Sequence, residues 1–472
     1  MSERLRLSRR SFLSASGASL AATALPKLVT AQESERRLVA APGMASLVGD
    51  DHLKTAVWSY DGSVPGPLLR YRQGDRLKIR FDNRLPQETT VHWHGIRLPN
   101  AMDGVPHVTQ APVAPGESFL YEFDLPDAGS FWYHPHARSN EQVARGLSGT
   151  LIVEEDSPPP VDRELIWVLD DWRLDKSAAL IEDFGNVMDL THAGRIGNSV
   201  TLNGRTPEFL PVKAGERIRL RLINVANARI FGLVFEDHRP LVIALDGQPV
   251  TPYEAEEGRI VLGPAMRADI LLDLTNTPGS RHRVIDDFYR GAAYKLLDIA
   301  YEDPADDGLA GSNVDALAAN PLAEPDLKRA ESHTIELGGG MMGSMAGGMM
   351  GGRMMAMRAL VESGKAWALN GQVADGHEMP VLLTLAQGHS YRVTLVNETR
   401  FHHPMHLHGH AFRVLSRNGM TVSGRPWRDT VLVDPQERVE IAFVADNPGR
   451  WMFHCHILEH QEGGMMGLLE VA

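Results

Sequence analysis

The chain has 472 residues, of which 43% are hydrophobic and 23% are charged, a composition typical of soluble globular proteins. This length exceeds that of one ordinary hydrophobic core and indicates about three domains. The formal net charge of −13 argues against nucleic acid and anionic membranes as partners. Glycine (44 residues) and proline (29 residues) are plentiful, which favours many turns and short strands over long helices.

The first 31 residues have the pattern of an export signal. Arg9 and Arg10 form a twin-arginine pair, and a stretch rich in Ala, Ser and Gly follows as far as Leu28. Small side chains at residues 29–31 then offer a cleavage site. This order is typical of twin-arginine signals and predicts a periplasmic protein; the alternative is a disordered basic tail. The apolar stretch is too short and too rich in Gly and Ser to span a membrane.

One strand pattern recurs three times along the rest of the chain. Alternating polar and apolar residues, the period of a half-buried strand, follow a glycine-led turn at Lys78–Asp82, Arg217–Leu222 and Tyr391–Val396. An Asp-Gly or Asn-Gly pair lies upstream of each run. The repetition predicts three copies of one all-β unit, at residues 36–157, 161–305 and 329–472.

Ten of the 20 histidines fall in four short segments, each with one His-x-His pair. The segments are His92–His94, His134–His136, His403–His408 and His454–His460. Residues i and i+2 of a strand point to the same face, so each pair directs two imidazoles to one volume. A single pair is equally consistent with ordinary core histidines. Four pairs, two in the first unit and two in the third, predict a metal cluster that the second unit does not share.

Cys455 is the only cysteine of the chain, which excludes an internal disulfide. It stands between His454 and His456, and strand alternation points its sulfur away from both imidazoles and toward a different metal. A thiolate with two imidazoles and a weak thioether specifies a blue-copper electron-transfer site. The candidate partners of the thiolate are His403, His460 and Met465. A closed zinc site is the weaker alternative, because the chain has no second thiolate.

Taken in order, the motifs His-x-His-Gly, His-x-His, His-Pro-x-His-x-His-Gly and His-Cys-His-x3-His-x4-Met resemble the copper-binding motifs of multicopper oxidases. The resemblance implies three cupredoxin-like Greek-key β-sandwich domains with four copper ions, three of them between the first and third domains. By motif position, the type 1 ligands would be His403, Cys455, His460 and Met465, the type 2 ligands His92 and His406, and the type 3 ligands His94, His134, His136, His408, His454 and His456. The implied reaction oxidises a reductant by one electron at a time and reduces O2 to water.

Water formation also requires protons. In the family, an acid in the segment after the first His-x-His-Gly is thought to serve the cluster, and Asp103 falls at that place; the alternative is an ordinary turn aspartate before Gly104. A second acid often follows the last histidine of the Cys-containing motif in bacterial members. Here that position is Gln461, which cannot ionise, and Glu462 comes next. We therefore predict Asp103, Cys455 and Glu462 as catalytic residues.

Eight methionines alternate with Gly, Ala and Ser in residues 338–357. They are Met341, Met342, Met345, Met349, Met350, Met354, Met355 and Met357. Their irregular spacing and the many glycines predict neither helix nor strand and no packing partners, whereas thioethers are soft ligands suited to Cu(I). The segment is similar in place and composition to the Met-rich insertion of bacterial copper-efflux oxidases; the alternative is a flexible low-complexity loop.

Three functions are compatible with these features. The first is a cuprous oxidase with a role in copper tolerance, which oxidises Cu(I) collected by the Met-rich segment and passes the electrons to O2. The second is a laccase-like oxidase of phenols and aromatic amines. The third is a non-catalytic copper-binding or scaffold protein, which the complete ligand set disfavours. We expect a monomer that does not insert into membranes.

Overall fold

Short β-strands are the main secondary structure of the protein, whose computed structural model describes residues 35–49, 51–305, 307–341, 345–376 and 378–472. The predicted export signal, residues 1–31, lies outside the described residues. Within the described part, six sheets form three successive pairs, here called the first, second and third sandwich. A two-stranded hairpin is added to the third sandwich.

The first sandwich contains β1 (Arg36–Ala45), β2 (Thr55–Tyr60), β3 (Gly66–Arg72), β4 (Arg76–Asn83), β5 (His92–His94), β6 (Ser118–Asp124), β7 (Gly129–His134) and β8 (Gly149–Glu154). A 3₁₀ turn covers Asn100–Met102, and helix α1 covers Ser139–Ala144. The sheet orders are β2-β1-β4-β6 and β3-β8-β7-β5. Antiparallel pairing of β5 with β7 sets His92 opposite His134, so the first two His-x-His pairs lie side by side.

The second sandwich contains β9 (Arg163–Trp172), β10 (Ser199–Leu202), β11 (Phe209–Lys213), β12 (Arg217–Asn224), β13 (Phe231–Phe235), β14 (Leu241–Leu245), β15 (Gln248–Glu254), β16 (Arg259–Leu262), β17 (Arg267–Asp273), β18 (Arg281–Asp286) and β19 (Tyr294–Glu302). Helix α2 covers Val187–Thr191, and a 3₁₀ turn covers Glu256–Gly258. The sheet orders are β10-β9-β12-β17-β14-β15 and β11-β19-β18-β13-β16. Every residue of β12 is buried, because Arg219 and Arg221 on its polar face pair with Asp269.

The third sandwich contains β20 (Glu331–Gly339), the hairpin strands β21 (Gly347–Met350) and β22 (Arg353–Ala356), helix α3 (Met357–Glu362), β23 (Trp367–Leu369), β24 (Val381–Leu385), β25 (Ser390–Asn397), β26 (His403–Leu407), β27 (Phe412–Arg417), β28 (Met420–Thr421), β29 (Trp427–Arg428), β30 (Thr430–Val433), β31 (Arg438–Val444), β32 (Gly449–Cys455), helix α4 (Leu458–Glu462) and β33 (Met466–Val471). The main sheet orders are β23-β20-β25-β31-β27-β28, with β29 on β27, and β24-β33-β32-β26-β30. Pairing of β26 with β32 sets His406 opposite His454.

The same topology appears in all three sandwiches. The pairs β1–β4, β9–β12 and β20–β25 are parallel, and their second strands continue antiparallel to β6, β17 and β31, respectively. The strands β4, β12 and β25 contain the three runs in which the sequence alternates. The predicted all-β fold of cupredoxin-like sandwiches is therefore confirmed.

Buried apolar side chains of the first and third sandwiches form one continuous cluster. The second sandwich has a separate large core. This arrangement brings the two units with His-x-His pairs into direct packing contact. None of the helices in the described part of the chain has the length and apolar character needed to cross a membrane.

Candidate metal centre

Cys455, His403 and His460 lie together in the third sandwich and are here called the sulfur site. The Cys455 Sγ atom is 3.5 Å from His403 Nδ1 and 3.6 Å from His460 Nδ1. The two Nδ1 atoms are 3.2 Å apart, and all three side chains are fully buried. Met465 is also buried, and its backbone carbonyl accepts a hydrogen bond from the Cys455 N–H at 3.1 Å.

The outer edges of both imidazoles in the sulfur site are occupied. The Nε2 atom of His403 is 2.8 Å from Thr399 Oγ1, and the Nε2 atom of His460 donates to the His192 carbonyl at 2.6 Å. The Trp367 ring lies against the His460 ring, with 4.0 Å between centroids. His192 follows helix α2, so a segment of the second sandwich covers His460. Burial lowers the pKa of His460 to about 3, which keeps the imidazole neutral and able to bind a metal.

Eight buried histidines from the first and third sandwiches form what we call the histidine cluster. Its members are His92, His94, His134, His136, His406, His408, His454 and His456. Two triplets each offer three nitrogens to one ion, His94 with His134 and His456, and His136 with His408 and His454. The Nε2 atoms of His134 and His456 are 3.4 Å apart, and those of His408 and His454 are 3.1 Å apart. The ring centroids of the two remaining members, His92 and His406, are 5.8 Å apart.

The segment His454-Cys455-His456 connects the sulfur site to the histidine cluster. The Cys455 sulfur lies in the sulfur site, while His454 belongs to one triplet and His456 to the other. The sulfur and the imidazoles therefore serve different groups, as strand alternation requires. Only the backbone of three consecutive residues separates the two groups.

Two aspartates hold histidine pairs of the cluster. Asp103 Oδ2 is 2.9 Å from His408 Nδ1, and the Asp103 backbone carbonyl is 2.8 Å from His92 Nδ1. Asp429 Oδ1 is 3.2 Å from His94 Nε2, and the Asp429 backbone carbonyl is 2.8 Å from His406 Nδ1. Sequence reasoning singled out Asp103 but missed Asp429. Asp429 lies outside the histidine motifs, and only the pairing of β30 with β26 brings it beside His406.

The histidine cluster has the chemistry of a copper site. The atoms His92 Nε2, His94 Nδ1 and His406 Nε2 are buried without a hydrogen-bond partner among the described residues, a costly state unless a metal binds them. Burial lowers the pKa values of His94 and His406, so both rings are neutral donors. Imidazoles in such number, with a separate thiolate, suit copper better than a closed zinc site.

Gln461 and Glu462 lie beside the cluster in helix α4. Gln461 Nε2 donates to Ser139 Oγ at 2.8 Å, and Glu462 Oε1 accepts from the same hydroxyl at 3.2 Å. A cavity of about 170 Å³ touches Gln461, Glu462 and His136, and it has room for water molecules. Burial raises the pKa of the Glu462 carboxyl. Ser139, which begins helix α1, had no distinguishing signal in the sequence.

The prediction that the Met-rich segment forms neither helix nor strand is wrong. The segment forms the hairpin β21–β22, and helix α3 begins at its last methionine, Met357. The expected lack of packing partners is also wrong for Met345, Met350 and Met355, which pack on a small cluster of Leu360, Ala368 and Val373. Apolar contacts to the third sandwich outweigh the glycine content, a tertiary effect that local propensity does not include.

The other methionines of the segment have different environments. Met341 and Met354 are 60% and 72% exposed, and Met349 and Met357 are half-buried. Met342 lies outside the described residues. The Met341 N–H donates to the Thr191 carbonyl at 3.1 Å, which places its backbone beside the segment that covers His460.

Three family models, each described as multicopper oxidase, match residues 44–158, 163–288 and 353–472. The chain belongs to the multicopper oxidase family, whose members are oxidoreductases that use copper and O2. It is 30% identical to the multicopper oxidase MmcO of Mycobacterium tuberculosis, over 87% of this chain and 82% of that protein. It is 27% identical to a copper resistance protein A homolog of Pseudomonas syringae pv. tomato, over 86% and 87%.

A solved structure shares the fold over nearly the whole chain. The crystal structure of a multicopper oxidase from Pseudomonas thermotolerans superposes with a TM-score of 0.81 at 36% identity, covering 93% of this chain and 99% of that one. Family membership favours an enzyme over a scaffold protein. The predicted copper cofactor and the multicopper oxidase class are therefore confirmed.

Proposed function

We propose that this protein is a periplasmic cuprous oxidase that contributes to copper tolerance. The reaction converts four Cu(I), one O2 and four protons into four Cu(II) and two water molecules. The choice of Cu(I) as substrate rests on one observation, the contact of the Met-rich segment with the residues that cover the sulfur site. The Met341 backbone is bonded to Thr191, and the next residue, His192, holds His460.

The residues support a complement of four copper ions. The sulfur site with Met465 would hold the type 1 ion, His92 and His406 the type 2 ion, and the two histidine triplets the type 3 pair. When bound, these ions supply one-electron oxidation at the sulfur site and reduction of O2 at the cluster. The chain contributes the route between them, since Cys455 is covalently adjacent to one histidine of each triplet.

Two exposed methionines are bonded through their backbones to the segment that covers His460. Met341 is 60% exposed, and Met188 on helix α2 is 65% exposed. Both flank the Thr191–His192 segment, and thioethers favour Cu(I) over harder cations. A cuprous ion bound by these thioethers would approach the sulfur site from the side of His192, whose carbonyl contacts His460. The homology to a copper resistance protein agrees with this substrate.

The laccase-like alternative is less well supported. A phenol that reduces the type 1 copper directly would have to reach an edge of His403 or His460, but both outer nitrogens are occupied and both rings are fully buried. A cleft of about 860 Å³ lies against the second sandwich, and no residue of the sulfur site lines it.

Protons for water formation would come from two sides. Asp103 is bonded directly to His408 and would act on the cluster itself. Glu462, linked to Gln461 through Ser139 and bordering the same cavity as His136, would pass protons from bulk water. In this chain Glu462 would therefore perform the role that an acid at the position of Gln461 performs in other bacterial members.

The test compares Cu(I) and phenol oxidation in a variant that replaces the four described methionines of the segment that lie outside the small cluster of Leu360, Ala368 and Val373. Met341, Met349, Met354 and Met357 are changed to Leu, which keeps apolar volume and removes sulfur. The packed Met345, Met350 and Met355 stay, so the hairpin is preserved. Met420→Leu is the matched control, because Met420 is 75% exposed on β28, outside the segment.

We expect the fourfold variant to oxidise Cu(I) at least tenfold less efficiently, measured by oxygen uptake, with phenol oxidation retained or raised. The control should match the wild type with both reductants. Unchanged Cu(I) kinetics in the fourfold variant would exclude the cuprous proposal and favour the laccase-like one. Copper content and blue absorption, recorded on the same samples, verify that the four ions are present.

A further inference from the structure

The second sandwich has none of the predicted copper ligands, yet one of its side chains bonds to Asp429, which contacts two members of the histidine cluster. We propose that Arg267, the first residue of β17, is a positioning residue for that cluster and acts through Asp429. This inference rests on the proposed function only in assigning copper to the cluster. It is independent of the reductant.

The Arg267 guanidinium is fully buried and bonds to all three sandwiches. Its Nη1 and Nη2 atoms donate to the Asp429 carboxylate of the third sandwich at 2.8 and 2.6 Å. Its Nε atom donates to the Ser130 carbonyl of the first sandwich at 3.1 Å, and Nη1 also donates to the Ala265 carbonyl of the second at 3.1 Å. Such a fork fixes a carboxylate in both position and rotation.

Asp429 contacts two imidazoles of different sandwiches, His94 through the carboxylate that Arg267 fixes and His406 through its backbone carbonyl. Its Oδ1 atom is 3.2 Å from Nε2 of His94, and its backbone carbonyl is 2.8 Å from Nδ1 of His406. The two rings stack with 3.7 Å between centroids. The free nitrogens, His94 Nδ1 and His406 Nε2, are the atoms left for metal. Outer partners of this kind set the tautomer and direction of a ligand ring.

The backbone next to His94 is adapted to this contact. Gly95 has φ +86°, and a Cβ atom there would lie 2.5 Å from both Arg267 Nη2 and Asp429 Oδ2. The absence of a side chain therefore admits the ion pair directly beside a ligand residue. A guanidinium that served only to join sandwiches would not need this close approach to the motif His92–Gly95.

Arg221 is a matched arginine without access to the cluster. It is also fully buried, and its Nη1 atom bonds to Ser130 Oγ at 2.9 Å and to Asp269 at 2.8 Å. It thus joins the second sandwich to the same residue of the first sandwich that Arg267 contacts. Its carboxylate partner Asp269, unlike Asp429, has no bond to a histidine of the cluster among the described residues.

The experiment compares Arg267→Met, Arg267→Lys and Arg221→Met as copper-loaded full-length proteins. Each is dialysed against a chelator, and copper per chain, the type 2 electron paramagnetic resonance spectrum, the blue absorption and the melting temperature are recorded. No reductant is used, so failure of the cuprous proposal does not affect the result. Arg267→Lys keeps the charge without the planar fork and serves as the variant that folds if Arg267→Met does not.

We expect Arg267→Met to lose type 2 copper at chelator concentrations roughly 10–100-fold lower than the wild type does, with the blue absorption unchanged. Arg267→Lys should lie between the two and show an altered type 2 spectrum. Arg221→Met should lower the melting temperature without loss of copper. Wild-type copper retention and type 2 spectrum in both Arg267 variants would overturn the proposal, and so would equal copper loss in Arg221→Met.

Discussion

Asp103 and Asp429 occupy equivalent places on two sides of the histidine cluster. Each holds one ring from the first sandwich and one from the third, and in each case the two rings stack. The pair at Asp103, His92 and His408, has 3.9 Å between centroids, and the pair at Asp429, His94 and His406, has 3.7 Å. Each pair combines a predicted type 2 ligand with a predicted type 3 ligand.

The two aspartates differ in their counter-ions. Burial acts to raise the pKa of Asp429, but the Arg267 guanidinium together with His94 and His406 holds this pKa well below the usual range. No arginine or lysine pairs with Asp103 among the described residues. Equal geometry therefore permits unequal chemistry at the two positions. We expect Asp429 to remain a fixed anion, and Asp103, which lacks such a counter-ion, stays the candidate for proton supply.

The largest expected effect is on stability at the Asp429 side. Asp429→Ala leaves the Arg267 charge buried without its main partner and should lower the free energy of unfolding by about 3–5 kcal/mol. Asp103→Ala leaves no buried cation without a partner and should lower the free energy of unfolding by about 1–3 kcal/mol. Urea unfolding of the copper-free proteins measures both. Equal losses would mean that the two aspartates are energetically alike.

The next effect is on turnover at the Asp103 side. Asp103→Asn keeps an acceptor for the cluster but cannot release a proton, so O2 reduction should slow by about 100-fold. The blue absorption should persist because the sulfur site is untouched. Rapid mixing of the reduced protein with O2 measures the rate. An unchanged rate would remove Asp103 from proton supply.

A smaller effect should follow from crowding the Arg267–Asp429 pair. Gly116→Ala is the control, because Gly116 has φ +85°, close to the φ of Gly95, and a Cβ atom there would meet nothing within 4 Å. Both substitutions carry the backbone strain of about 1–2 kcal/mol. Gly95→Ala should cost about 1–3 kcal/mol more and alter the type 2 spectrum. If both substitutions lower the free energy of unfolding equally, the Arg267–Asp429 pair accommodates the added Cβ atom without cost.

The smallest effect concerns a third buried carboxylate, Asp170 on β9, which has no cation partner among the described residues. Burial, reinforced by Asp171, raises its pKa well above the usual range. A raised pKa means that the folded state binds the proton more tightly than the unfolded state does. The stability that protonated Asp170 contributes is therefore present at acidic pH and is lost as the pH rises. Asp170→Asn should therefore stabilise the protein by about 1 kcal/mol at pH 7. The gain should vanish near pH 4 in melting experiments; a gain that is constant with pH would contradict this assignment.

Much of the site could be predicted from the sequence because its signals are local. Strand alternation applies over two or three residues, and it sufficed to place the imidazoles of His454 and His456 opposite the sulfur of Cys455. The glycine-led turns and alternating runs likewise predicted the repeated all-β unit. The Met-rich segment was predicted wrongly, since its strands depend on packing against Leu360 and Val373 rather than on its own composition.

Only the tertiary structure decided which outer groups hold the ligands. His94 and Asp429 are 335 residues apart in the chain, and Asp103 and His408 are 305 apart. Thr399 is near His403 in sequence, but His192 and Arg267 come from the second sandwich, which has no metal motif. The sequence by itself predicted which side chains are the candidate donors, because ligand spacing follows backbone geometry. Their orientation and charge depend on contacts between sandwiches, which no local pattern records.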